Sequence, residues 1–258
     1  MAVSLTSKSI GVMKVSVVGS SSEGNCYLFR AGRETLIVEC GLPVRDIKRA
    51  LDFNLTGVVG CVVTHRHKDH SKSVVDLCRC GIRVHALEDV FSELRPLYGD
   101  VISAMGSVLE PMKTCRIGGF RVFAFESKHD VPCLGFVIMH EESGRTLFMT
   151  DSVTLGYKFD GIDHVMIECN YADDIVCENI ENGSLHPSQR ERLMISHCEL
   201  QSCKRILGRL GLENCRDIML LHLSHGNADP ERFKAEIEKA TGKPTYIATP
   251  GLEVDFTI

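Results

Sequence analysis

Three imidazoles and a carboxylate fall within six residues at His65, His67, Asp69 and His70. Each is costly to bury without a partner, so packing does not account for four of them together. Their spacing points to a metal instead. His65 and His67 lie two apart and project to the same side of an extended segment, whereas Asp69 and His70 come where the chain should turn into a helix. One strand end can thereby offer nitrogens to one ion and an oxygen–nitrogen pair to a second.

The same residue types recur downstream at the ends of apolar stretches. His129 follows Phe120 to Glu126, Asp151 follows Arg145 to Thr150, and His222 follows Asp217 to Leu221. Taken singly, each reads as a strand-end cap; their case as ligands is their order after the cluster. His225 competes with His222, which sits at the strand terminus, so His225 is read as a substrate contact. Glu39 closes another apolar run beside Cys40-Gly41, where a carboxylate can brace a metal loop from behind. His85, His140, His164 and His186 are read as structural or solvent-facing, and Cys40, Cys61 and Cys169 as packed thiols.

Around these residues the pattern alternates strands and helices. Strands are expected at 12–18, 25–31, 35–39, 57–63, 82–86, 120–126, 134–140, 145–150, 164–168, 217–221, 245–249 and 252–256. Helices are expected at 43–51, 71–80, 88–95 and 230–240, with a mainly helical stretch from 172 to 212 broken by Gly183 and Pro187. The strand at 57–63 reads as buried on both faces and delivers the His cluster at its end. The 71–80 helix would point its N-terminus at the cluster and favour an anion there. The Gly/Ser loop at 19–25 reads either as an anion cradle or as a plain hairpin connection.

With 258 residues and 44% hydrophobic content, the chain can bury a large core in one domain, expected at 12–258 behind a polar leader at 1–11. The 12 cysteines contain no Cys-x-x-Cys pair and read as reduced thiols of a cytoplasmic protein. No stretch is apolar enough to cross a bilayer. A net charge of −5 argues against a generic nucleic-acid coat but leaves room for a local basic groove. Arg190, Arg192, Lys204, Arg205 and Arg209 fall on the helical stretch, mostly as a solvated face.

His65-x-His67-x-Asp69-His70, followed by His129, Asp151 and His222, resembles the metallo-β-lactamase fold superfamily. The likeness extends to its WalJ/YycJ-like branch of hydrolases and spans Met13 to about Phe233. Gly19-Ser20-Ser21-Ser22-Glu23-Gly24-Asn25-Cys26 is similar to that branch's glycine–serine opening, Glu168-Cys169-Asn170-Tyr171 to its Glu-Ala-Asn-His, and His222-Leu223-Ser224 to its late His-Leu-Ser. The resemblance implies an α/β fold, an αββα sandwich of two mixed sheets flanked by helices. It also implies that His65, His67 and His129 hold one divalent ion, Asp69, His70 and His222 a second, and Asp151 both; Zn²⁺ and Mn²⁺ suit such donors equally. Ser20, Asn170, Arg192 and His225 are the expected substrate contacts, Arg192 because it matches a family arginine that could clamp a phosphate bidentately. Three positions depart from the pattern: Glu39 stands where Asp is usual, Tyr171 replaces a His, and His197-Cys198-Glu199-Leu200 replaces His-Leu-Ser-Asn.

The expected function is a metal-dependent phosphodiesterase, most concretely a DNA nuclease of the 5′-exonuclease kind. Hydroxide between the two ions would attack phosphorus, with Asp69 and Asp151 holding the ions and His197, or a metal-bound water, protonating the leaving oxygen. The interval between Asp151 and His222 is too short for the clamp domain of the larger RNA-processing branch. The alternatives are a phosphodiesterase for cyclic nucleotides or other small substrates, and an inactive binding module.

Overall fold

In the computed structural model, which describes residues 12–258, Met13–Gly19 (β1), Cys26–Ala31 (β2) and Glu34–Val38 (β3) form an antiparallel meander. Val58–Val62 (β4), Val84–Ala86 (β5) and Gly106–Val108 (β6) extend it in parallel, and Glu253–Phe256 (β14) closes its other edge beside β1. Thr114–Ile117 (β7), Phe120–Ser127 (β8), Cys133–His140 (β9) and Gly144–Met149 (β10) run antiparallel in the second sheet. His164–Glu168 (β11), Asp217–Leu221 (β12) and Thr245–Ile247 (β13) continue that sheet in parallel. The leader expected at 1–11 lies outside the described residues.

Alternation of side chains along the strands builds the layers. In β8, Phe120, Val122 and Ala124 join Phe29, Phe136 and Phe148 in a core between the two sheets, while Phe125 joins Leu147 and Met149 on the outer face. Val44–Ala50 (α1), Val74–Arg79 (α3), Glu88–Ser92 (α4) and Arg95–Met105 (α5) cover the first sheet. Asp173–Glu181 (α6), Leu200–Leu207 (α8) and Pro230–Thr241 (α9) cover part of the second, with Pro187–Ser196 (α7) between α6 and α8. The result is the αββα sandwich. Sequence punctuation sets the helix ends: Asp229 accepts the Arg232 N–H before α9, and Gly242 takes the left-handed φ of 68° after it.

Several elements differ from the sequence reading. The helix expected at 71–80 is two short ones, Lys68–Ser71 (α2) and α3, so Asp69 and His70 lie inside the first turn rather than ahead of it. The break frees the Ser73 N–H and hydroxyl, which donate to the carbonyls of Cys40 and Leu42, and the dipole argument for an anion there lapses. β4 is half-buried at Val58 and Val59 and buried only from Gly60 onward. α5, β6 and β7 were not expected; the last two have only three and four residues, too few for a periodic pattern. In the 172–212 stretch Gly183 lies in a single break before α7, which begins at Pro187, and a second, unexpected break falls at His197–Glu199. Among the described residues no helix is long and apolar enough to cross a membrane.

Candidate metal centre

Strand register fixes the level of the site. β10, β11 and β12 run parallel, with Met149 beside Ile167 and Glu168 beside Leu221, so Asp151, Glu168 and His222 emerge at one edge. Val38 sits beside Val62 in the facing sheet, placing Glu39 next to Thr64 and His65. Carboxyl ends of parallel strands are where open α/β sheets leave a crevice. Glu39, Asp151 and His222 all leave their strands in left-handed conformation, with φ of 65°, 45° and 54°. Each such non-glycine residue costs about 1–3 kcal/mol, and three at one edge are held by the contacts that follow.

His65, His67, His129 and Asp151 form one group whose donor atoms lie within 4.8 Å of one another; Asp69, His70, Asp151 and His222 form a second. Asp151 Oδ2 is shared, lying 3.7 Å from His65 Nε2, 3.8 Å from His129 Nε2 and 3.3 Å from His70 Nε2. Asp69 Oδ2 stands 3.3 Å from His70 Nε2 and 3.5 Å from His222 Nε2. The structure thus brings together all seven residues that the sequence singled out as ligands.

Backbone pairing holds the 69–70 segment in place. Asn25 N–H donates to Asp69 O and Cys40 N–H to His70 O, and a Cβ on Gly41 would stand 1.6 Å from Asp69 O. Gly41→Ala is therefore expected to push the 69–70 segment aside, costing about 1–3 kcal/mol and weakening metal retention. Denaturant midpoints and elemental analysis of the variant check this.

A cation suits what these side chains leave unmet. His65 Nε2 and His222 Nε2 are buried without a hydrogen-bond partner, an arrangement that is costly unless an ion takes the lone pairs. Their opposite nitrogens are fixed: His65 Nδ1 pairs with Thr64 Oγ1 at 2.9 Å, and His222 Nδ1 lies 3.3 Å from Glu168 Oε1. His129 Nδ1–H donates to Ser196 O at 2.8 Å, which turns Nε2 toward Asp151.

Charge in the metal-free protein says the same. Burial works against a charged His222, yet Asp151 and Asp69 raise its pKa to about 10. Burial likewise opposes the charge on His70, but Asp151 and Glu39 hold it well above the ordinary range. Burial also disfavours an ionised Asp151, but His222 and His70 keep its carboxyl well below the usual range. Protons on the imidazoles thus offset the carboxylates, and a cation would displace them. Because His222 keeps its proton up to about pH 10, divalent metal binding at pH 7 is expected to release at least one proton. Calorimetry in two buffers of different ionisation enthalpy reads that release; identical heats would contradict it.

The site opens on a cavity of about 310 Å³ whose wall includes Ser22, Lys68, Asp130, Arg192 and His197 beside the ligand candidates. Arg192 is exposed at its rim. The remaining basic residues of the helical stretch do not line it: Arg190 pairs with Asp173, Lys204 with Glu236, Arg205 donates to Ser202 Oγ, and Arg209 lines a separate pocket.

Ser20, Asn170 and His225 do not line this cavity. Ser20 Oγ accepts the His222 N–H at 2.9 Å and bonds the Tyr27 hydroxyl, while Asn170 Nδ2 donates to His222 O at 2.7 Å; both support His222 from behind. His225 is exposed on a neighbouring pocket with Leu223 and Thr249. Glu39 lies 3.5 Å from His70 Nδ1 and accepts the Thr64 N–H.

The sequence reading places Glu168 in a motif but gives it no role in the site. Fully buried, it accepts N–H bonds from Ser152 and Cys198 at Oε2 and from His197 Nδ1 at Oε1, the last at 2.7 Å. Burial opposes its charge, but His197 beside it keeps the carboxyl below the usual range. For His197, burial lowers the pKa and Glu168 outweighs it, so the net shift is upward. The signal was available: a carboxylate ending an apolar strand, as at Asp151.

Comparison with known proteins agrees with this geometry. Residues 35–214 match the family model described as "Beta-lactamase superfamily domain". An exodeoxyribonuclease YycJ of Bacillus anthracis is 24% identical over 251 residues, covering 94% of each chain. An exodeoxyribonuclease WalJ of Streptococcus pneumoniae is 24% identical over 226 residues, covering 83% of this chain and 82% of that one. The crystal structure of the metallo-β-lactamase fold protein YhfI from Bacillus subtilis superposes with a TM-score of 0.71 at 17% identity, over 95% of this chain and 99% of that one. The chain belongs to the beta-lactamase superfamily, with the metallo-β-lactamase fold of a YycJ/WalJ-like branch.

Proposed function

We propose that this chain is a metal-dependent phosphodiesterase that cleaves nucleic acid, most specifically a DNA exonuclease, acting with two divalent ions, Zn²⁺ or Mn²⁺. The observation that carries the reading is the pair of donor groups sharing Asp151: Asp69, His70 and His222 complete a second site beside His65, His67 and His129. Two ions held by these residues would supply Lewis acidity for hydrolysis and offset charge on the phosphate oxygens.

The chain's own residues do the rest. Arg192 at the rim binds a phosphate oxygen pair. His197, held at Nδ1 by Glu168, keeps its other nitrogen for the cavity and delivers a proton to the leaving oxygen. The exodeoxyribonuclease names of the two relatives support the choice of DNA. Residues 12–258 are proposed to act as one domain, and the absence of disulfides among 12 free cysteines suits a reducing, cytoplasmic setting.

A panel of metal-reconstituted protein against 5′-phosphorylated DNA, RNA, cyclic nucleotides, a thioester and a β-lactam tests the reading. Cleavage of DNA with release of mononucleotides supports it; turnover confined to the thioester or lactam overturns it. Activity on a cyclic mononucleotide alone selects the second reading, which the cavity of about 310 Å³ favours as a small-molecule site.

A further inference from the structure

The outer face of the second sheet carries a row of cations far from the metal centre. Arg116 on β7 is directly opposite Arg121 on β8, Arg121 opposite Met139 on β9, and Met139 opposite Arg145 on β10. Directly paired residues share a face, so the three arginines project to the same side in one transverse line. Strand spacing makes that line about 14 Å long. All three are exposed, and they line a cavity of about 510 Å³ together with His140 and Glu141.

Like charges set opposite one another destabilise a sheet, and proteins relieve them with a carboxylate. No ion pair forms within this row, although Glu141 lines the same cavity and Asp163 Oδ2 accepts the Arg145 N–H. Arg66, Arg95, Arg190 and Arg232 each hold an ion pair, whereas Arg116, Arg121 and Arg145 have none among the described residues. Arg116 Nε donates to Gly118 O at 3.2 Å and Arg145 Nη1 to Asp160 O at 3.1 Å, which orients the guanidinium groups without neutralising them. In a chain of net charge −5, three arginines without an ion pair outnumber the one carboxylate, Glu141, that lines the same groove, which makes it a local basic site.

We propose that this row binds the phosphodiester backbone of the nucleic-acid substrate at a distance from the bond being cut; the inference rests on the nuclease reading. The rise along β8 from Arg121 toward His129 separates the row from the metal centre by roughly 25 Å. At ~3.4 Å per nucleotide of stacked strand, that distance spans about seven nucleotides. A long strand engaged at the metal centre reaches the row, and a trinucleotide does not. The contact is to phosphate, which DNA and RNA share, so it adds affinity without sequence preference.

The test uses the full metal-loaded chain and its triple variant Arg116→Ala, Arg121→Ala, Arg145→Ala. Cleavage is followed on a 5′-phosphorylated single-stranded twenty-nucleotide DNA and on a 5′-phosphorylated trinucleotide, with fluorescence anisotropy of the longer strand alongside. The variant should raise KM and Kd for the long strand about tenfold at low salt and reduce the slope of log Kd on log salt by about 2. Its kcat/KM on the trinucleotide should equal that of the parent. An unchanged Kd and salt slope for the long strand overturns the proposal, as does an equal loss on the trinucleotide. If the parent cleaves neither strand, the nuclease reading fails, and anisotropy alone still decides whether the row binds a phosphodiester chain.

Discussion

Asp151→Asn is expected to lower bound divalent metal to well under one ion per chain and to cut phosphodiester hydrolysis by about 10³-fold. Asp151 Oδ2 faces His65, His70 and His129 within 3.3–3.8 Å, so one carboxylate belongs to both donor groups. Removing its charge weakens both at once, whereas Asp69→Ala should reduce the content of one group and spare the other. Asn is the informative replacement because residue 151 has a φ of 45°, a conformation that Asn tolerates and Ala does not. Circular dichroism should therefore show an intact fold. Full metal content and an unchanged rate in Asp151→Asn would remove Asp151 from the centre.

The second large effect is at His197 and Glu168. On the proposal that its ring delivers a proton and holds no ion, His197→Ala should lose about 10²–10⁴ in turnover while keeping its metal. Glu168→Gln separates position from charge. Glu168 raises the His197 pKa against the pull of burial, so the neutral amide lets that pKa fall. A general acid works only while protonated, and activity declines as pH rises through its pKa. The alkaline limb of the rate profile should accordingly move to lower pH in Glu168→Gln. Loss of metal from His197→Ala, or an alkaline limb that stays in place, would count against the assignment.

What the sequence made legible follows from how local each signal is. The candidate ligands His65, His67, Asp69 and His70 are set by spacing along one strand end, and His129, Asp151 and His222 by their order at later strand ends. Glu168 carries the same signal as Asp151, but its main partner, His197, is 29 residues away and pairs only after α7 turns back. Ser20 and Asn170 looked like substrate contacts because polar side chains near a motif read alike. Their actual partner, His222, is chosen by tertiary packing, 202 and 52 residues away. The layers were legible from the long alternating strands, whereas β6 and β7 are too short to show a period. The arginine row was invisible for a related reason: Arg116, Arg121 and Arg145 meet only through strand register.

The most direct measurement titrates the metal-free chain with Mn²⁺ or Zn²⁺ while following cleavage of a 5′-phosphorylated single-stranded DNA. If two ions share Asp151 at a phosphodiesterase centre, activity stays near the baseline through the first equivalent and rises to its plateau with the second. Full activity at one equivalent, or no cleavage at saturation, would contradict that account.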